Sequence, residues 1–327
     1  MDVDGEVVDS AFDDPVVVDA WRQLGSQCVH PFGSWAWMSS TARHLEHDHE
    51  VRAHRLVVDG SVVAVAATVD RGPGSPVVLL GDPLSDRCGP VHGPGHEAHG
   101  RALLTGIVGA AADDDRSVAL RDVDPAIADA LEADGALERA PSLAAPRVDV
   151  RGTTWDAYLD GPTARRRRRI ATAAARLLED PQVHVVDATS PAEVADALES
   201  LIVLHEARFG ATSRLFTGRR GDHFRHVLPT MAADDGVRIL LLCVDDRPVG
   251  ATLVLRAGGD DWFYNAGWDD AHARRSVGRA ALALSIQRAF DDGRGAFHLL
   301  RGDEEYKGYW ATAVDHTATL TSAGPSS

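Results

Sequence analysis

Side chains able to do chemistry are concentrated near the C-terminus, in Leu299-Leu300-Arg301-Gly302-Asp303-Glu304-Glu305-Tyr306-Lys307-Gly308-Tyr309-Trp310. Lys307 is the only lysine in the chain; all the others among its 33 Lys+Arg residues are arginine. Arginine serves as well as lysine for surface charge, but not where a compact ammonium, or an amine able to lose its proton, is needed. Around Lys307 stand two carboxylates that could accept a proton, Asp303 and Glu304, and a phenol that could donate one, Tyr306. Arg301, Tyr309 and Trp310 complete a polar and aromatic set suited to proton transfer beside a developing negative charge. Plain ion pairing of the carboxylates with Arg301 and Lys307 is the competing reading.

A second stretch points to phosphate. Arg275-Ser276-Val277-Gly278-Arg279-Ala280 has the form Arg/Gln-x-x-Gly-x-Gly/Ala, which leaves backbone N–H groups free at a helix start and lets a pyrophosphate approach small residues. A third is the run Arg165 to Arg169. Five consecutive arginines cover every face of a helix, so they either pair with carboxylates or cradle phosphates. Two histidine-rich patches, His44/His47/His49/His54 and His92/His96/His99, lack the cysteine or carboxylate pattern that would complete a metal site, so no metal is expected.

The elements that must hold these groups follow from hydrophobic periodicity and turn residues. Ala296–Leu300 is an apolar run ending in a polar loop, the place where α/β sheets put their ligands. Ahead of it lie a hairpin, Val237–Val244 and Pro248–Leu255, then a strand Trp262–Ala266 and a helix Val277–Phe290. Two helices precede the hairpin: an arginine-rich one over 162–178, and Pro191–Phe209. The latter is followed by a polar loop carrying Arg214, Arg219 and Arg220. The first half repeats this plan. Asp59-Gly60 turns a hairpin between Ala53–Val58 and Ser61–Val69, and a strand Val77–Leu80, a helix around Glu97–Ala112 and a strand Ser117–Arg121 come next. Gly100-Arg101-Ala102 lies opposite Gly278-Arg279-Ala280, and Ala112-Asp113-Asp114 opposite Phe290-Asp291-Asp292, at one offset. This predicts an internal duplication. The domains are expected at 1–150 and 151–327, with helix 162–178 as a basic linker.

Composition narrows the partners. With 44% hydrophobic and 25% charged residues, the 327-residue chain has the make-up of a soluble globular protein. A net charge of −16 argues against DNA or an anionic membrane as partner. No apolar run reaches a membrane span, and three scattered cysteines with an acidic N-terminus predict a cytoplasmic, acidic protein without disulfides.

Several of these stretches resemble the GNAT acetyltransferase superfamily, and within it the CelD-like branch related to the FemAB transferases. The resemblance is carried by helix 162–178, Leu204-His205-Glu206-Ala207-Arg208-Phe209, Pro248-Val249-Gly250-Ala251 and Tyr264-Asn265-Ala266-Gly267-Trp268-Asp269. Ser276-Val277-Gly278 and Phe297–Trp310 add the most specific part. It departs from the family at Val277, where proline is usual, and at His298, where aspartate is usual. The resemblance implies an α/β (α+β) fold of two tandem GNAT-like domains, each a mixed twisted sheet flanked by helices. It implies an N-acetyltransferase-like enzyme moving an acyl group from acyl-CoA, acetyl-CoA being the usual donor, to an amine or hydroxyl of a small-molecule or saccharide acceptor. The donor would lie on Arg275, Ser276, Val277, Gly278, Arg279 and Ala280. Lys307, in a Lys-x-x-aromatic setting like that of FemAB proteins, would place positive charge beside the oxyanion or donor phosphate. Asp303 or Glu304 would then be the base and Tyr306 or Tyr264 the acid. His205, Arg208, Tyr264, Arg301, Trp310, Arg165 and Arg166 would bind substrate. The alternatives are a FemAB-like transferase that takes its donor from aminoacyl-tRNA, and a non-catalytic GNAT-like binding module.

Overall fold

In the computed structural model, which describes residues 3, 5–133, 135, 137–161 and 164–322, the chain forms two units. One runs to Ala144 and takes in the chain from His316 on; the other is Ala145–Asp315. The first contains β1 (Glu6–Ala11), α1 (Pro15–Gly25), α2 (Trp35–Leu45), β2 (Glu50–Val58), β3 (Ser61–Asp70), β4 (Val77–Leu79), β5 (Val91–His92), α3 (Glu97–Asp113), β6 (Val118–Val123) and α4 (Pro125–Ala133). β7 (Glu138–Asp149) leads into the second unit. There follow α5 (Trp155–Asp160), α6 (Arg165–Leu177), β8 (Val183–Ala188), α7 (Pro191–Phe209), α8 (Gly218–Ala232), β9 (Val237–Val244), β10 (Arg247–Ala257), β11 (Asp260–Trp268), α9 (Val277–Asp291), β12 (Ala296–His298) and α10 (Glu305–Trp310). β13 (Ala313–Thr321) returns to the first.

Strand order is the same in both units. In the first it runs β1-β2-β3-β4-β6-β13, and in the second β8-β9-β10-β11-β12-β7. The fourth and fifth strands of each order are parallel (β4 with β6, β11 with β12) and the fifth and sixth antiparallel. The repeat expected from the paired turns and helices is therefore present, with one exchange: each unit's sixth strand follows the other unit's elements in sequence. Asp115 and Gly293, and again Asp122 and Leu300, are left-handed at the same spacing that separates Gly100 from Gly278.

Local sequence explains most of the elements. Asp59-Gly60, Asp245-Asp246 and Gly258-Gly259 all have positive φ, as two-residue primed hairpin turns require. Ser190 and Glu193 form a reciprocal capping box at the start of α7, with Pro191 in the first turn. The largely apolar α9 buries Val277, Ala280–Ile286 and Ala289 against the sheet, with Val254, Phe263, Phe297 and Trp310 in the same core.

Three expectations are corrected. The loop carrying Arg219 and Arg220 is helical as α8, because Phe224, Val227, Leu228 and Met231 bury one face despite Gly218, Gly221 and an internal Pro229. The strand from Ala296 ends at His298, because Leu300 turns left-handed (φ 60°). The stretch around Lys307 is a short helix, α10, rather than a loop. The expected start of helix 162–178 at Pro162 and Thr163 lies outside the described residues; α6 is helical from Arg165.

Candidate functional site

The site is built where β11 and β12 part. They pair only at Asp261↔Phe297 and Trp262↔His298. There the Trp262 and His298 rings stack at 3.7 Å, and Arg294 donates to Asp261 at 2.7 Å. Beyond this point β11 runs on to Trp268 while the chain after β12 turns away, leaving a slit along residues 263–268. Within that length β11 bulges. Leu253 faces Asn265 and Val254 faces Phe263, so Tyr264 has no partner on β10.

Helices α7 and α9 pack on opposite faces of this strand. A Cβ at Gly267 would lie 2.5 Å from the His205 backbone nitrogen on α7, so only glycine lets that helix so close. A Cβ at Gly278 would meet the Trp268 ring at 2.8 Å, on the α9 side. α9 begins after Ser276, whose left-handed backbone (φ 53°) offers no side-chain cap. The first N–H groups of a helix have no acceptor within it, so this end is a source of donors.

The phosphate-type residues fall around that end. Val277 and Ala280 are buried and anchor the helix; Arg275 and Arg279 are exposed. Arg275 pairs with Asp180 at 3.3 Å. The Trp268 indole covers Gly278, donates to Asp270 at 3.1 Å, and carries the Arg208 guanidinium 5.0 Å from its ring centre. Beside it runs an open groove of about 550 Å³ lined by Arg165, Arg168, Arg169, Arg176, Arg274 and Arg275. Arg168 pairs with Asp160. Arg165, Arg169, Arg176 and Arg274 have no carboxylate partner among the described residues. Arg166 points elsewhere, 3.6 Å over the Tyr309 ring and 3.4 Å from Glu305. Arg167 is buried, donating to the Tyr158 carbonyl at 2.9 Å.

On the α7 face the bulge brings Asn265 beside His205, and Tyr264 beside Phe224 of α8 (ring centres 5.5 Å). His205 is 4% exposed. Its Nδ1 lies 3.4 Å from the Ala266 carbonyl and its Nε2 2.7 Å from Ser213 Oγ. Burial holds its pKa below the ordinary histidine value, against the opposing effects of Ala266, Asn265 and Glu206. Sequence reasoning missed Ser213 altogether; its nearness to His205 depends on the turn Gly210–Thr212 folding back.

The Lys307 group stands at the other lip. Its ammonium is buried and donates to the carbonyls of Arg301 (2.6 Å) and Leu300 (3.4 Å), and to Glu304 at 2.9 Å. All three N–H bonds are thereby spent on its own loop. The left-handed Leu300 and Gly302 (φ 125°) turn those carbonyls inward, and a Cβ at Gly302 would meet Nζ at 2.8 Å. The compact ammonium suits this tight turn better than a longer, planar guanidinium would. Asp303 is exposed and Arg301 half-buried. Tyr306 is partly buried against the core, and burial followed by the nearby Glu304 raises its pKa, so the phenol keeps its proton. Trp310 is a core residue, 2% exposed, whose carbonyl accepts from the Tyr158 hydroxyl. Among the described residues no group of three or more His, Cys, Asp or Glu is placed to hold a metal, and no helix is long and apolar enough to cross a membrane.

Each unit is thus a mixed sheet flanked by helices, and in the second the middle strands part beside an uncapped helix start. Residues 164–308 match the family described as acetyltransferase (GNAT) domain, which makes the second unit similar to that family. Solved structures give the fold of the whole chain. FemX is 12% identical with a TM-score of 0.63, over 88% of this chain and 90% of its own. L-PGS from Bacillus licheniformis is 13% identical with a TM-score of 0.61, over 96% and 93%. A tandem GNAT protein from the clavulanic acid biosynthesis pathway is 15% identical with a TM-score of 0.52, over 99% and 100%. No curated protein matches the sequence.

Proposed function

We propose that the protein is an acyltransferase that moves an acyl group from acyl-CoA, with acetyl-CoA the first donor to test, to an amine or hydroxyl of a saccharide or other small acceptor. The observation that carries this reading is the slit along the bulged half of β11, next to the uncapped start of α9. The donor's pyrophosphate would meet the N–H groups of Val277, Gly278 and Arg279, flanked by Arg275 and Arg279. Its thioester would enter the slit, and the acceptor would attack from the α7 face. Lys307 would fix the loop bearing Asp303 and Glu304 and hold positive charge at that lip, while Tyr306, kept protonated, would serve the leaving thiolate. The likeness of Leu204–Phe209 to the CelD-like branch supports a relationship to it.

Calorimetric titration with CoA tests the donor site. The parent should bind, and thiol release from acetyl-CoA should exceed the solution rate. Absence of both would remove the acyl-CoA reading. Gly278→Glu is a poor probe, since any Cβ there strikes Trp268 before it meets a phosphate.

A second reading, transfer from aminoacyl-tRNA, is favoured by one observation, the groove with four unpaired arginines. Replacing Arg165, Arg169 and Arg176 by glutamine should then flatten the salt dependence of tRNA binding by about 0.7–0.9 per lost phosphate contact. RNase-insensitive turnover with acetyl-CoA would decide for the first reading.

A further inference from the structure

On the α7 face of β11, His205 and Ser213 form a pair whose hydrogen-bond directions are fixed by their surroundings. The neighbour of Nδ1 is a carbonyl oxygen, Ala266 O, which can only accept. Nδ1 therefore carries the ring proton, and the lone pair of Nε2 faces Ser213 Oγ at 2.7 Å. Ser213 donates its hydroxyl proton to His205 and accepts the Leu215 N–H at 3.4 Å, which leaves its oxygen one free lone pair. His205 is walled in by Phe209 and Phe216, with ring centres at 4.6 and 5.0 Å, whereas Ser213 is half-buried. Ser213 is thus the accessible end of a buried imidazole. Asn265 Oδ1, on the bulge of β11, is buried and takes no hydrogen bond of good geometry among the described residues.

Resting on the acyl-transfer reading above, we infer that Ser213 takes the proton of the acceptor and passes its own to His205. As the acceptor's N or O bonds to the thioester carbon, its proton moves to Ser213 Oγ, and the Ser213 proton moves to His205 Nε2. The C–S bond then breaks with its electron pair on sulfur. Tyr306 gives its proton to the thiolate, and the proton held by His205 leaves through Ser213 to solvent, which in turn reprotonates Tyr306, restoring the neutral pair. Asn265 Oδ1 lies near the ring, where it favours the imidazolium that forms in between. Burial favours the neutral form of His205, ready to accept, by lowering its pKa below the ordinary histidine value. The charged neighbour that bears on it is Glu206 of its own helix. The residues packed against it from β11 and from the 212–217 turn, Ala266, Asn265, Ser213 and Phe216, do not titrate near neutrality.

The test uses the intact protein with acetyl-CoA as donor and water as acceptor. Thiol release is followed from about pH 5 to 9, beside nitrogen-15 spectra of the histidines. Ser213→Ala and His205→Gln should each lose about 10²-fold or more of the catalysed rate. The double variant should lose no more than either alone, since the two act as one unit. Both should lose the acid limb of the pH profile, which in the parent lies below the usual histidine range, and Ser213→Thr should recover most of the rate. The spectra should show His205 protonated at Nδ1 only, with an Nε2 signal that moves on Ser213→Ala. Calorimetry with CoA separates the two proposals. Unchanged CoA affinity with lost turnover supports the relay. A parent that neither binds CoA nor releases thiol removes the donor reading and leaves the spectra to decide the relay. Turnover of either single variant within threefold of the parent, or an Nε2 signal indifferent to Ser213, overturns it.

Discussion

The two units share a strand order, yet they differ in the strand that borders the second unit's slit. β10 pairs with one long strand, β11, from Gly250 to Ala257. β3, its counterpart, pairs with β4 at Thr68 and Val69 and with the separate β5 at Ala64 and Val65. The helix start differs as well. α9 begins one residue before Gly278, between Arg275 and Arg279; α3 begins three residues before Gly100, with Glu97 in its first turn. A carboxylate at a helix start occupies the place where a phosphate would be attracted. Both glycines are covered by a ring, His92 over Gly100 and Trp268 over Gly278. One scaffold thus carries a continuous strand with arginines around the helix start in one unit, and an interrupted strand with a glutamate there in the other.

The largest expected effect concerns the turns after the fifth strand. In the second unit the left-handed Leu300 is held by the Lys307 ammonium; in the first, Asp122 is held by the Thr317 hydroxyl and the Cys88 N–H. Lys307→Met and Lys307→Arg should each lower turnover about 10²-fold by misplacing the loop, while Asp122→Asn leaves it near the parent rate. Thiol-release kinetics decide; Lys307→Met at full rate would break the contrast. Next comes donor affinity. Arg275→Glu with Arg279→Glu should weaken CoA binding roughly 10- to 100-fold, and Arg101→Glu, at the matching position of α3, should change it little. Equal losses in calorimetry would put a second donor site in the first unit.

Two smaller effects concern stability. The Arg116 guanidinium, helped by the Gly72 N–H, holds Asp70 down at about 2. Its stabilisation is present above the unfolded carboxylate value and is lost as pH falls through about 2. Asp70→Asn should cost the first unit about 1–2 kcal/mol at neutral pH, allowing for solvent screening, and nothing at the acid end of a urea-unfolding series. Asp261 in the second unit behaves oppositely. Burial raises it despite Arg294, Arg256 and Arg238, so acid relieves a cost there. The smallest effect is at glycines of α3. Gly109→Ala meets nothing within 4 Å and should stabilise by about 0.5–1 kcal/mol. Gly100→Ala, driven to 2.7 Å from His92, should destabilise; thermal unfolding of the pair checks both.

The elements legible in the sequence were those fixed by neighbours along the chain. Helix Pro191–Phe209 agrees to the residue because its cap and periodicity are local. The hairpins agree because Asp-Gly and Asp-Asp dictate their turns. α8 was hidden by Pro229 and two glycines, since its helicity comes from burial against the rest of the unit. β8, with burial alternating weakly, and the destination of β13 left no local mark. In the site, the phosphate-type turn and the lone lysine stood out by residue type. What the types could not reveal was direction: Lys307 turned back on its own carbonyls, Arg166 on Tyr309, and Ser213 brought to His205 by a fold-back.

The exchange of final strands has a consequence for synthesis. As the chain leaves the ribosome, the elements of the first unit emerge first, but β6 waits for a partner that is made last. Thr317 meets Asp122 across 195 residues, and Ser322 meets Val118 across 204. Until then β6 presents a bare edge of the kind that invites pairing with other chains. The second unit receives β7 before its own strands exist and can close as soon as β12 is made. The half translated first is therefore completed after the other, and a ribosome that stops short of β13 releases a protein whose second unit is nearly whole and whose first sheet is open.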